Sequence, residues 1–287
     1  MTPPLVRTVE EVRRAVAAAR GRGARVGLVP TMGALHEGHL SLLRAARAET
    51  GYVVVSIFVN PTQFGPHEDL TRYPRPLARD LELCGREGAD LVFHPEAATV
   101  YPPGFCTYVE VHGLQDVLEG ASRPGHFRGV STVVLKLFNI VQPDVAYFGQ
   151  KDAQQVRVLQ QMVRDLNVPV ELRVGPIVRA PDGLALSSRN QYLDPDQRRH
   201  ATALFHALRA AERRVHDGER DAAVLRQTLA ERVAATPGAR LDYAAVVDAR
   251  TLRPLDRLHG EVLVALAVFF GSTRLIDNTL LNLPEVP

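Results

Sequence analysis

The segment Val26-Gly-Leu-Val-Pro-Thr-Met-Gly-Ala-Leu-His36-Glu-Gly-His39 runs an apolar strand into a Gly-containing turn, with a His-x-Gly-His motif where a helix should begin. Residues three apart on a first helical turn face the same side, so the two imidazoles would converge. A helix start also offers unpaired backbone N–H groups and a positive partial charge. Phosphate oxygens are the natural ligand of such a place, and an imidazole donates to an anion more strongly when protonated. Zinc would need further His or Cys ligands nearby, which the spacing lacks. A helix-capping loop with two exposed histidines is the plain alternative, and the preceding Pro-Thr-Met-Gly turn tips the balance toward function.

Four other segments carry groups that could do chemistry. In Phe148-Gly149-Gln150-Lys151-Asp152-Ala-Gln-Gln155 a strand again enters a helix. Gly149 allows close backbone approach, and Lys151 would hold phosphate as a point cation. Asp152 would cap the helix or bind a ribose hydroxyl or a metal-bound water; a solvated Lys–Asp pair is the alternative. Leu186-Ser187-Ser188-Arg189-Asn190 offers two hydroxyls and a guanidinium suited to a triphosphate, or else a polar loop capping the next helix. Ser56-Ile-Phe-Val-Asn60-Pro-Thr-Gln63 ends a buried strand in two amides able to orient a hydroxyl or carboxylate. Asn-Pro turn chemistry accounts for Asn60 but not for Gln63. Ser122-Arg123-Pro-Gly-His126-Phe-Arg-Gly is a Gly-punctuated basic loop, read equally as an anion site or a connection.

The elements that must position these groups alternate. Helical spacing covers Thr8 to Ala19, with Val12, Val16 and Ala19 on one side, and recurs at 38–50, 77–88, 129–141 and 153–166. Strand-like runs occupy 24–30, 52–60, 89–94, 144–148 and 170–174, with 107–111 as a further candidate. The run at 52–60 is continuously apolar, as in a strand buried on both faces. This βα alternation predicts an α/β fold, a doubly wound, mostly parallel sheet whose ligands bind beyond the strands' carboxyl ends. After Gly175-Pro176 the pattern changes to a hairpin turning at Pro181-Asp-Gly183. A long helix from Asp194-Pro195, a helix over 221–235 and strands at 241–247 and 261–270 follow. Residues 1–175 and 176–287 are therefore expected to form a larger domain and a smaller α+β domain, hinged near Gly175-Pro176.

Bulk composition narrows the partners. With 287 residues, 46% hydrophobic, the chain can bury a sizeable core. Its 34 basic and 32 acidic residues leave a net charge of +2 without a basic run, so neither nucleic acid nor membrane is the expected partner. Two cysteines are too few for a disulfide framework, which suits a reducing cytoplasm. Only Lys136 and Lys151 are lysines. Lys136, inside Val133-Val-Leu-Lys-Leu-Phe, reads as a helix residue with a packed stem or an inward ammonium.

In order, the blocks Pro-Thr-Met-Gly-Ala-Leu-His-Glu-Gly-His, Phe-Val-Asn-Pro-Thr-Gln-Phe, Arg-Pro-Gly-His-Phe-Arg-Gly-Val, Phe-Gly-Gln-Lys-Asp and Leu-Ser-Ser-Arg-Asn resemble the pantoate–β-alanine ligase family of the nucleotidylyltransferase superfamily, over nearly the whole chain. The resemblance implies a Rossmann-like ATP domain, a C-terminal lid domain, a homodimer and Mg²⁺. ATP would touch Met32, Gly33, Ala34, Leu35, His36, Glu37, Gly38 and His39. It would also touch Gly149, Gln150, Lys151, Asp152, Val178, Leu186, Ser187, Ser188 and Arg189. His39 would donate a proton, with His36, Lys151 and Arg189 also catalytic. Gln63 and Gln155 would bind pantoate, Gln63 bordering the β-alanine site, with Asn60, Arg123 and His126 as further substrate contacts. Asp80 would match a carboxylate near the metal, although Arg79 stands beside it in place of a second acid. Gln150 and Leu186 replace the usual Glu and Met. The implied reaction is ATP-dependent condensation of pantoate and β-alanine through pantoyl-adenylate. A nucleotidylyltransferase that leaves AMP on its product and a non-catalytic nucleotide sensor are the alternatives.

Overall fold

Six short runs assemble into one parallel sheet in the computed structural model, which describes residues 2–66 and 68–283. The extreme ends of both expected domains lie outside the described residues. The strands are β1 (Leu5–Val6), β2 (Val26–Thr31), β3 (Tyr52–Ile57), β4 (Leu91–Phe93), β5 (Val145–Gly149) and β6 (Glu171–Gly175). Their order is β1-β4-β3-β2-β5-β6, and every neighbouring pair is parallel. Between them run α1 (Val9–Arg20), α2 (Glu37–Glu49), α3 (Leu77–Arg86), α4 (Ala97–Val100), α5 (Glu119–Ser122), α6 (His126–Val141) and α7 (Ala153–Asp165).

Local sequence explains the main elements. Thr8 and Glu11 form a reciprocal capping box at the start of α1, which buries Val12, Val16 and Ala19. From Val53 to Ile57, β3 is buried without interruption, because both sheet faces are covered. On one face α2 and α3 share a core with Val29, Val53, Val55, Val92 and Tyr147. On the other, α6 lies against β2 and α1.

The chain leaves β2 for β3 on one side and later returns to pair β5 on the other. The carboxyl ends of β2 and β5 therefore flank the sheet's switch point, where open α/β sheets bind ligands. The first histidine motif follows β2, and Gly149-Gln150 closes β5.

Residues 107–111, expected as a strand, join no sheet. Two of their amides go to side chains instead, Val109 N–H to Thr132 Oγ1 (2.9 Å) and Val111 N–H to Gln115 Oε1 (3.0 Å).

A second compact unit begins at Ile177 and also takes Lys151–Ala153, which the sequence pattern places in the larger domain. Its antiparallel meander consists of β7 (Ala239–Asp248), β8 (Glu261–Phe270) and β9 (Thr273–Asn282). Following α8 (Pro195–His200), the helices α9 (Ala203–His216) and α10 (Ala222–Ala234) pack against it around Leu204, Leu208, Leu225, Leu229, Val264 and Leu266. The expected long helix is two. Past α8 the Thr202 hydroxyl bonds back to Arg199 O (2.8 Å), a side-chain bond of the kind that competes with helix continuation. The 177–190 hairpin forms through one antiparallel bridge, Arg179 with Ala185.

Candidate active site

The loop after β2 is held from behind. Gly33 (φ 82) and Ala34 (φ 50) are both left-handed, a conformation that glycine adopts freely and alanine only under strain. Thr31 Oγ1 accepts the Gly33 N–H (3.1 Å) and donates to Ser56 O (2.8 Å). Asp80, 1% exposed on α3, accepts the N–H groups of Ala34 and Leu35, one on each oxygen at 2.8 Å. Burial pushes its carboxyl above the ordinary range, against the pull of those two donors. Asp80 thus anchors the loop, and the amides of residues 33–35 are spent inside the protein.

His36 is the N-cap of α2 and shares a reciprocal cap with His39. Its Nδ1 accepts the Gly38 N–H (3.2 Å), and His39 Nδ1 accepts the His36 N–H (3.3 Å). A backbone amide only donates, so both Nδ1 atoms are unprotonated and each neutral ring carries its hydrogen on Nε2. The rings stand 4.1 Å apart between centroids, too close for two imidazolium charges to coexist comfortably. The pair thus presents two Nε2–H donors. Glu37 turns its carboxylate to Arg44, so only its backbone suits the nucleotide contact expected of it.

The acid-binding candidates form one polar cluster. Asn60, 1% exposed, has its orientation set by a backbone N–H and a backbone carbonyl, neither of which can reverse roles. Thr62 N–H donates to its Oδ1 (3.3 Å), as does the Tyr101 hydroxyl (2.8 Å), and its Nδ2 donates to Gly129 O (3.2 Å). Its amide also donates to Gln63 Oε1 (3.0 Å), so Gln63 Nε2 faces the other way, 3.1 Å from Met32 Sδ. Sulfur is a weak acceptor, and this N–H face is suited to a carboxylate or hydroxyl oxygen. Gly129 permits the packing, since a Cβ there would sit 2.4 Å from Thr62 O. Asn60 therefore orients Gln63.

Arg123 and His126 are engaged within the protein. Arg123 pairs one edge bidentately with Glu68 (Nε–Oε1 2.7 Å, Nη2–Oε2 2.5 Å), which offsets its charge. The His126 Nδ1–H donates to Gln63 O (2.8 Å), and its Nε2 faces Arg123 Nη1 (3.1 Å). Together they brace the Gln63 backbone. Burial first, then the Arg123 guanidinium, pushes the His126 pKa down from 6.5 to about 4. The unfolded chain therefore takes up this proton first. Stability from His126 is complete above pH 6.5, falls as pH drops toward 4, and levels off below, by at most about 3 kcal/mol. Urea midpoints measured from pH 7.5 to 4.5 should fall less in His126→Asn than in the parent protein; parallel curves would contradict this state of the ring.

Gln155 on α7 is half-buried, and its amide bonds no other described residue, which leaves it available to a ligand. Its neighbour Gln154 was missed by sequence reasoning. It is 4% exposed and binds Leu114 O (2.8 Å), Val117 O (2.7 Å) and Glu119 N (2.9 Å), holding the loop before α5.

In the second unit, Lys151 lies 3.5 Å from Asp152 and keeps 21% of its side chain exposed. Val178 and Leu186 face each other across the hairpin, Leu186 N–H to Val178 O at 3.0 Å. Ser187 caps the following turn by accepting the Arg189 N–H (3.2 Å). Lys136 lies in the first unit with its ammonium over the Phe105 ring (4.6 Å), a packed role as expected.

A parallel sheet whose switch point carries a helix start with two imidazole donors defines an α/β nucleotide-binding enzyme. The family model for pantoate–β-alanine ligase matches residues 4–280. The pantothenate synthetase of Moorella thermoacetica is 60% identical over 98% of this chain and 99% of its own length. The crystal structure of pantothenate synthetase from Thermus thermophilus superposes with a TM-score of 0.92 at 48% identity, covering 96% of this chain and 98% of that one. A pantoate–β-alanine ligase structure from Francisella tularensis, complexed with β,γ-ATP and β-alanine, gives 0.78 at 34% identity, over 97% of each chain. The chain belongs to the pantoate–β-alanine ligase family, and it is an acid–amine ligase.

Proposed function

We propose that the ligase works in two steps. The pantoate carboxylate attacks the α-phosphorus of ATP, releasing pyrophosphate and forming pantoyl-adenylate. The β-alanine amine then attacks the acyl carbon, and AMP leaves as pantothenate forms. The observation that carries this reading is the Gln63 amide, its N–H face fixed by Asn60 and set beside Met32 of the histidine loop. Gln63, with Gln155, would hold the acid next to the nucleotide.

Met32 to His39 and Gly149-Gln150 would contact ATP, as would Lys151, Asp152, Val178 and Leu186 to Arg189. The Nε2–H donors of His36 and His39, with Lys151, Ser187, Ser188 and Arg189, would meet charge growing on the phosphoryl oxygens. Little covalent chemistry falls to the protein, and alignment dominates. His39 acts here as a hydrogen-bond donor, because its Nδ1 is committed to the cap.

The described residues contain no group of three or more His, Cys, Asp or Glu able to ligate a metal, and Asp80 is engaged with the loop. Mg²⁺ accordingly enters as the companion of the nucleotide phosphates, with few protein ligands. We further place the enzyme in the cytoplasm as a homodimer, following its family. None of its described helices is long and apolar enough to cross a membrane.

The deciding assay follows AMP and pyrophosphate from ATP and pantoate, with and without β-alanine. Pyrophosphate release that requires pantoate, with AMP release that requires β-alanine, is the expected result. AMP retained on the product would indicate a nucleotidylyltransferase, and ATP binding without turnover a sensor.

A further inference from the structure

Two adjacent residues in the middle of β9, Asp277 and Asn278, are each 3% exposed although both are polar. Nothing in the proposed reaction uses them. Their side chains reach two different segments of the second unit. Asn278 Nδ2 donates to the main-chain oxygen of Lys151 (3.0 Å). Asp277 takes Arg179 bidentately, at 2.6 and 3.0 Å, while Arg179 Nη1 also donates to Gly183 O (3.0 Å). Asp277 is tied to Asn278 as well, accepting its N–H on Oδ1 (2.8 Å). One dipeptide thus grips the Lys151 backbone with one side chain and the 179–185 hairpin with the other. That hairpin leads into Ser187-Ser188-Arg189.

The packing between these segments is close. Lys151, Ala185, Ser187, Asn190 and Asp277 share a cavity of only about 10 Å³, room for no more than roughly one water. A shift of either segment would be felt by the other. Arg179 is further fixed with its guanidinium 4.9 Å from the centre of the Phe205 ring.

We propose that Asp277 and Asn278 are positioning residues that set Lys151 and the Ser187–Arg189 turn in one frame, so that their phosphate contacts act together. The inference rests on the reading of Lys151 and Arg189 as phosphate-binding groups. It assigns a catalytic consequence to a buried pair outside the proposed substrate contacts.

The test is a double-mutant cycle on pantoate-dependent pyrophosphate release, using Lys151→Ala, Asn278→Ala and the double variant. Asn278→Ala alone should lower the rate by about tenfold to a hundredfold, the scale expected when a catalytic group is displaced by roughly an ångström. It should raise KM for ATP and leave KM for pantoate unchanged. In the Lys151→Ala background it should have almost no further effect, because the group it positions is gone. If the two losses multiply fully, or if Asn278→Ala matches the parent enzyme, the proposal is wrong. If Lys151→Ala itself has parental activity, the reading of Lys151 fails instead, and that arm alone reports it. Should Asn278→Ala not fold, Asp277→Asn keeps the shape and removes the charge. Its loss should then be non-multiplicative with Arg189→Ala, and full multiplication there overturns the proposal equally.

Discussion

Lys151→Ala is expected to slow pyrophosphate release from ATP and pantoate by about two to three orders of magnitude, the usual cost of removing one donor aimed at developing charge. The melting temperature should scarcely move. Among the described residues its ion pair is a partly exposed 3.5 Å contact with Asp152, and such pairs add little to stability; the charge also favours the ionised form of buried Asp277, against its burial. Lys151→Arg should recover only part of the loss, since a planar, delocalised guanidinium does not place a compact charge at the same point. Single-turnover release of pyrophosphate reads the effect directly. A rate near that of the parent enzyme would remove Lys151 from the mechanism.

His39→Ala should cost a similar factor, and His39→Gln should recover a measurable share of it. A glutamine amide can offer an N–H close to where Nε2–H stands, but it cannot deliver a proton. A hydrogen-bonding role therefore predicts rescue by Gln, whereas an acid role predicts that Gln is as poor as Ala. His39→Ala also breaks the reciprocal cap with His36, so a loss of about 1 kcal/mol in unfolding free energy should accompany it, whereas a Gln side chain at this position can still accept the His36 N–H. Comparing the two variants at equal fractions folded separates the chemical effect from that loss.

Much of the fold could be read from periodicity. The apolar run of β3 and the Val12/Val16/Ala19 stripe of α1 bury as expected, because covered sheet faces and amphipathic helices leave strong local patterns. By contrast β9 was missed, since Asp277-Asn278 interrupts its apolar character and both are poor strand formers. Tertiary contacts with Arg179 and Lys151 override that preference. At the candidate site, residue types singled out segments but not the internal partners of each polar group. Asp80, Asn60, Arg123 and His126 hold backbone and side chains, tasks that residue type alone does not announce. Spacing along the chain carries no information on which partner a buried polar group finds across 40 to 70 residues, as Asp80 with Leu35 and Asn60 with Gly129 illustrate.

The assignment of Lys151–Ala153 to the second unit has a consequence for recombination among relatives. A single crossover near residue 176 would inherit Lys151 from one parent and Asp277-Asn278 from the other. The natural module for exchange is discontinuous: the C-terminal portion together with a three-residue island far upstream. Chimeras that carry the island along should keep their parents' turnover more often than those that leave it behind.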